Sequence, residues 1–233
     1  MNPKVSILIP IYRTSEYIEK CAESLFNQTF TDIEYIFVND ASPDDSIDKL
    51  NSIIDKYPNR KNQIKIIHHL INRGSAAARN TAIDASTGDY ITFVDSDDYI
   101  DKEMVEELFF KALSDKADIV VSDYLIEKSD KTDYFYNYIS TENEENFKSI
   151  LLDQNTSSSL CSKLVRRYLY ELPEIRVPEG LNYMEDRHIM TRIFYFANKI
   201  VKVDHAFYHY IQYNTHSITK LKNRRPAENA SHQ

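Results

Sequence analysis

Three acidic stretches of this chain have the residue types and spacing for chemistry. Asp95-Ser96-Asp97-Asp98 places three carboxylates in four positions. It directly follows Tyr90-Ile91-Thr92-Phe93-Val94, a β-branched and aromatic run that reads as a buried strand. Such a strand cannot hold that much unpaired charge, so the cluster sits at its exit, facing water or a cation. In an extended segment Asp-x-Asp sends two carboxylates to one side, near enough to share a divalent ion. The pattern alone leaves a second reading open, a solvated turn in which Asp98-Tyr99-Ile100-Asp101 caps the next helix. A second acidic loop, Asn39-Asp40-Ala41-Ser42-Pro43-Asp44-Asp45, follows another apolar run, and the pair Glu185-Asp186 opens a helical stretch.

These residues need elements to hold them. Apolar runs at Val5–Ile9, Ile33–Val38, Ile64–Ile67, Tyr90–Val94 and Ala117–Ser122 read as strands. Between them lie helical patterns, with Ile18, Cys21, Ala22 and Leu25 on one face, Ile47, Leu50 and Ile54 on another, and an Ala-rich segment at residues 76–83 that can pack close to a sheet. Strand–helix alternation implies an α/β fold with parallel strands and right-handed crossovers. Ligands in such sheets bind beyond the carboxyl ends of the strands. Asp40 and the Asp95–Asp98 cluster both sit there, on one edge, although 55 residues separate them. After about residue 123 the pattern changes. Residues 124–147 are polar and Tyr-rich, suiting a hairpin or a flap, and residues 145–153 read as a helix. Lys163–Arg167 is basic and partly apolar. A helix after Asp186 buries Ile189, Ile193, Phe194 and Ala197, and Val201–Val203 and Phe207–Tyr210 read as short strands.

Composition narrows the function classes. Hydrophobic residues make up 42% of the 233, enough for a core, and the net charge of -8 comes without the basic stripe that nucleic acid requires. An acidic protein that handles a phosphorylated ligand is expected to use a metal or a few placed Arg and Lys side chains. Cys21 falls on an apolar helix face, and neither it nor Cys161 has metal-ligand spacing, so reduced thiols are expected. There is no leader with a charged and then an apolar region, and no apolar run approaches 18 residues. A cytoplasmic protein is expected, with room for peripheral attachment at the inner face of a membrane.

The chain resembles the family-2 inverting glycosyltransferases of the GT-A fold over roughly residues 4–219. The resemblance rests on Ser6–Tyr12, Phe37–Ser42, Asn72-Arg73-Gly74 with Arg79-Asn80, Gly88–Ile91 and Asp95–Asp98, and resumes at Lys163-Leu164, Glu185-Asp186 and His216–Thr219. It implies a mostly parallel Rossmann-like sheet. Residues 1–122 would form the nucleotide-sugar half, 123–219 the acceptor half and 220–233 a polar tail. By resemblance, Pro10 and Tyr12 lie beside the nucleobase, Asp40 accepts a base N–H such as uracil N3–H, Arg79 lies near base and phosphates, and Asp95 accepts a ribose hydroxyl. Asp97 is the metal ligand for Mn²⁺ or Mg²⁺, with His216 as the late ligand and His209 and His205 as competitors. Asp186 is the base of a single displacement, with Glu185 on acceptor hydroxyls and as its rival for that role. Asp98 assists as an acceptor or cap. The family often has Arg two residues after the histidine position of Tyr208-His209-Tyr210-Ile211; its absence puts a phosphate contact in doubt, and Lys163 is the candidate to supply that cation.

The expected reaction is metal-dependent transfer of a sugar from a nucleoside diphosphate, UDP first, to a carbohydrate or lipid-linked acceptor in bacterial surface polysaccharide or capsule assembly. A sugar nucleotidyltransferase is disfavoured, because it needs a Gly-rich phosphate loop and the first Gly is Gly74. A glycoside hydrolase leaves Asp40 and Asp95 without a role. A catalytically degenerate protein that binds only a nucleotide or a partner is disfavoured by the presence of both Asp97 and Asp186.

Overall fold

Each apolar run is followed by a helix with one apolar face to lay against it, and this closes the N-terminal half into a sheet. The computed structural model describes residues 3–152, 154–172, 175–181 and 184–214. Strands β1 (Val5–Ile11), β2 (Ile33–Asn39), β3 (Ile64–His68) and β4 (Tyr90–Phe93) pair in parallel, in the order β3-β2-β1-β4. Helix α1 (Ile18–Phe26) buries Ile18, Cys21, Ala22 and Leu25 as the spacing predicts, and α2 (Ser46–Ile54) buries Leu50 and Ile53. Helix α3 (Ser75–Ala85) buries Ala76, Ala78 and Ala82, and these short side chains let it lie close on β1 and β2.

The chain continues through β5 (Tyr99–Ile100), α4 (Met104–Asp115), β6 (Ile119–Glu127), β7 (Thr132–Phe135), α5 (Asn143–Leu152), β8 (Lys163–Arg166), α6 (Arg167–Tyr170), α7 (Glu185–Phe196) and β9 (Ile200–Ile211). The Tyr-rich segment begins as a hairpin, β7 on β6. Alternation alone does not announce two features. β8 runs antiparallel between β4 and β6. The two short strands expected near the end are one, β9, parallel to β6 with its register shifting between Ser122 and Tyr124. Among the described residues, β1–β4, β6 and β9 run one way and β5, β7 and β8 the other, so the sheet is mostly parallel. Residue 122 lies inside β6, and the sheet passes through it unbroken. No helix among the described residues is long and apolar enough to cross a membrane.

This topology corrects the expectation for Lys163. As first residue of a strand flanked on both sides, its side chain is fully buried. Its Nζ donates to the Ser159 carbonyl at 2.7 Å. It is not among the residues that line the cleft described next.

Candidate active site

The carboxyl ends of β1, β2 and β4 open into one cleft of about 930 Å³, closed on its far side by the residues 157–162 and the start of α7. Pro10, Tyr12, Asp40, Arg79, Asp95, Asp97, Glu185 and Asp186 all line it. His216 lies outside the described residues. Backbone strain concentrates here. Arg13, Ala41, Ser162 and Met184 have φ of 56°, 52°, 59° and 59° without being glycine, and they adjoin Tyr12, Asp40, Cys161 and Glu185.

The Asp95–Asp98 turn is anchored, not solvated. The Asp95 N–H donates to the Tyr208 hydroxyl at 3.1 Å, and that hydroxyl donates to Asp98 Oδ2 at 2.6 Å. The Ile211 N–H donates to Asp98 Oδ1 at 2.7 Å. Asp98 therefore fastens the acidic turn to β9 instead of capping a helix; Tyr99-Ile100 is strand, and Glu103 takes the cap position of α4. Burial, then the charges of Asp97 and Asp95, push its carboxyl well above the usual range. Asp98→Ala is expected to cost about 1–3 kcal/mol of stability in urea denaturation, because it orphans a buried N–H. Asp98→Asn should cost clearly less.

Asp97 is half-buried and accepts from Asn214 Nδ2 at 2.7 Å. Burial, reinforced by the Asp95 charge, raises it to about 6. Asp95 also accepts from Arg79 Nη2 at 3.1 Å, and the Cys161 thiol lies 3.6 Å from its Oδ2. Cys21 and Cys161 are both free and buried.

Arg79 was expected at base and phosphates. It lines the cleft and lies buried among its carboxylates, with Nη1 2.7 Å from Glu185 Oε1 and 2.8 Å from Asp186 Oδ1, and Nη2 on Asp95. Burial alone would lower its pKa; Asp186, Asp95 and Glu185 outweigh this and raise it. Glu185 Oε1 also accepts from the Ser75 hydroxyl at 2.8 Å. Asp186 Oδ2 accepts from the Leu160 N–H at 3.3 Å. Burial, opposed by Arg79 and aided by Asp95 and Glu185, raises the Asp186 carboxyl to about 6.

Asp40 is 2% exposed yet lines the cleft. Its Oδ1 accepts from Arg73 N–H at 2.9 Å and its Oδ2 from Gly74 N–H at 2.7 Å. The carboxylate thus fixes the turn that starts α3, where Gly74 has φ of 90°. Asp45, not Asp40, takes the cap position of the helix after β2, and Asp44 beside it accepts from the hydroxyls of Ser42 and Ser46, both at 2.6 Å. His69, Tyr208 and Asn214 were not singled out from the sequence. His69 carried one usable signal, a polar residue just past the carboxyl end of β3, level with Asp40 past β2.

The residues fit a divalent cation. Asp95, Glu185 and Asp186 pair with the buried guanidinium of Arg79, Asp97 and Asp98 continue the turn from Asp95, and burial together with this surplus of negative charge raises Asp97 and Asp186 to about 6. A dication at Asp97 would neutralise it. Among the described residues no three His, Cys, Asp or Glu side chains converge as a complete ligand set.

Comparison with known proteins agrees with this geometry. EpsJ, an uncharacterized glycosyltransferase of Bacillus subtilis, is 33% identical over 95% of this chain and 64% of its own length. The glycosyltransferase GlyG of Streptococcus pneumoniae is 30% identical over 90% of this chain and 71% of its own. TarS of Staphylococcus aureus, solved with UDP-GlcNAc, superposes with a TM-score of 0.76 at 26% identity, over 90% of this chain and 58% of TarS. The chain thus spans about three fifths of EpsJ and TarS. The mostly parallel sheet and its acidic carboxyl edge are the GT-A architecture. With residues 6–172 matching the model of glycosyl transferase family 2, the chain belongs to that family.

Proposed function

We propose that this chain catalyses metal-dependent, inverting transfer of a sugar from a nucleoside diphosphate, UDP, to a hydroxyl of a carbohydrate or lipid-linked acceptor in surface polysaccharide synthesis. The observation that carries the reading is the convergence of Asp40, Asp95, Asp97 and Asp186 on one cleft from separate parts of the chain. The likeness to TarS, solved with UDP-GlcNAc, supports uridine as the nucleoside.

In this reading Asp40 accepts the base N–H, Asp95 accepts a ribose hydroxyl, and Pro10 and Tyr12 bound the base. Asp97 holds Mn²⁺ or Mg²⁺, with His216 as a further ligand. The ion, when bound, neutralises charge on the departing diphosphate. Asp186 takes the proton from the acceptor hydroxyl as that oxygen attacks the anomeric carbon, and the diphosphate leaves from the opposite face. Glu185 orients the acceptor through hydroxyl contacts, with Oε1 already bound to Ser75 and Arg79. Arg79 acts by holding Asp95, Glu185 and Asp186 in register, not by gripping the nucleotide. An α-linked donor then gives a β-linked product. The enzyme would work in the cytoplasm and meet lipid-linked acceptors at the membrane face.

Calorimetric titration of UDP with and without Mn²⁺ tests the reading. Binding should strengthen with Mn²⁺, and Asp97→Ala should abolish that gain while leaving the fold intact. A nucleotide affinity indifferent to Mn²⁺ in the wild-type protein would remove the metal from the mechanism.

A further inference from the structure

The loop that covers Asp40 has an unusual construction. Leu70 is 99% exposed and Ile71 69% exposed, so the apolar side chains of residues 69–72 do not hold the loop down by burial. Polar bonds to the end of β2 do. The His69 N–H donates to the Asn39 carbonyl at 2.9 Å, and Asn72 Nδ2 donates to the Asp40 carbonyl at 3.3 Å. The shortest link is between side chains, with His69 Nδ1 2.6 Å from Asp40 Oδ1, and both side chains are almost wholly buried. A carboxylate oxygen accepts, so Nδ1 carries the proton; in the neutral ring Nε2 then accepts from the Thr81 hydroxyl, 2.9 Å away. The imidazole is thereby pinned between Asp40 and α3.

The two carboxylate oxygens are consequently unequal. Oδ1 already receives two donors, His69 Nδ1 and the Arg73 N–H, while Oδ2 receives one, the Gly74 N–H. An oxygen of this kind accommodates about two donors. Oδ2 is the oxygen with capacity for a further N–H. We propose that His69 is the positioning residue of the nucleobase pocket: by occupying Oδ1 and fixing the carboxylate plane, it leaves Oδ2 as the single acceptor for a base N–H. This selects uracil, whose N3 carries a hydrogen, over cytosine, whose N3 presents a lone pair to the same oxygen. The inference rests on the reading of Asp40 as the base acceptor and adds the residue that sets its selectivity.

The test is the ratio of UDP to CDP affinity, measured by calorimetry with Mn²⁺ present, in the wild-type protein, Asp40→Asn, His69→Leu and His69→Asn. The wild-type protein should favour UDP, and Asp40→Asn should erase the preference. His69→Leu should weaken UDP about tenfold and leave CDP within about twofold, because only the paired donor is lost. His69→Asn should restore most of the ratio, since its Nδ2 reaches the place of the imidazole Nδ1. A purely structural role for His69 would weaken both nucleotides alike, and that result overturns the proposal. If Asp40→Asn erases the preference and His69→Leu does not, His69 alone is misassigned. If Asp40→Asn leaves the ratio unchanged, the reading of Asp40 fails and takes the inference with it. Should His69→Leu not fold, Thr81→Val carries the test: freeing the far side of the ring should reduce the ratio, and an unchanged ratio overturns the proposal.

Discussion

Asp186→Asn is expected to lower kcat by about 10²–10⁴-fold, the usual contribution of a positioned base, while UDP affinity stays within about twofold. The substitution keeps the shape of the side chain and lets its carbonyl oxygen go on accepting the Leu160 N–H. What it removes is the ability to take a proton and the charged pairing with Arg79 Nη1. The same change should not destabilise the fold. The Asp186 carboxyl is raised to about 6, above its ordinary value of 3.8, so the folded state favours its neutral form and the charge costs stability above that range. A neutral amide removes this cost, and the thermal midpoint at pH 8 should match or exceed that of the wild-type protein. The pH dependence follows from the same shift. The base must be unprotonated, and Asp97, also raised to about 6, must be ionised to hold a cation, so kcat/KM should fall between about tenfold and about a hundredfold per unit as pH drops below 6 and level off above it. Glu185→Gln separates the neighbours, with the larger loss expected in acceptor KM. If Asp186→Asn turns over within about tenfold of wild type, or Glu185→Gln costs more kcat, the base is misassigned.

The parallel N-terminal half was legible because its signals are local. Each strand is a short apolar run, each helix has one apolar face, and the rule that ligands bind beyond strand carboxyl ends brought Asp40 and Asp95 together across 55 residues. What failed to show was non-local. Nothing in Lys163-Leu164-Val165-Arg166 says that it inserts antiparallel between β4 and β6. Once it does, the lysine offered as a phosphate-binding cation is enclosed, and its ammonium donates to the Ser159 carbonyl. The donors that meet Asp98 were hidden for a related reason. A carboxylate at the exit of a strand looks solvated until β9, more than 100 residues later, arrives with the Tyr208 hydroxyl and the Ile211 N–H. His69 escaped because its one signal, a position just past the end of β3, does not name its partners. Its partners Asp40 and Thr81 are 29 and 12 positions away and meet it only when β2, β3 and α3 assemble.

Arg79 is where the local and non-local parts of the site join. Its helix packs on β1 and β2, Asp95 follows β4, and Glu185 and Asp186 begin α7 more than 100 residues along the chain. One guanidinium holds Asp95, Glu185 and Asp186, the residues proposed above as ribose acceptor, acceptor-binding carboxylate and base, at fixed separations. Arg79→Met keeps much of the buried volume and removes the charge. It is expected to cost about 3–5 kcal/mol of stability at pH 8, the penalty for leaving a buried ion-pair network without its cation. The pH dependence distinguishes charge from packing. With Arg79 present the Asp186 carboxyl is raised only to about 6, although burial, Asp95 and Glu185 all push it upward. Without Arg79 the folded-state value rises further, and the unfolded value stays near 3.8. The variant should therefore be nearest to wild type below about pH 6, where the Asp186 carboxyl is protonated in both folded proteins, and fall progressively behind as pH rises above 6. Urea denaturation at pH 5 and pH 8 measures this directly. A stability gap equal at the two pH values would mean that Arg79 acts through the packing of its stem. Arg79→Lys restores a charge without the planar fork that reaches several carboxylates at once. It should recover most of the stability and little of kcat, because one ammonium cannot hold Asp95 and Asp186 in the same register.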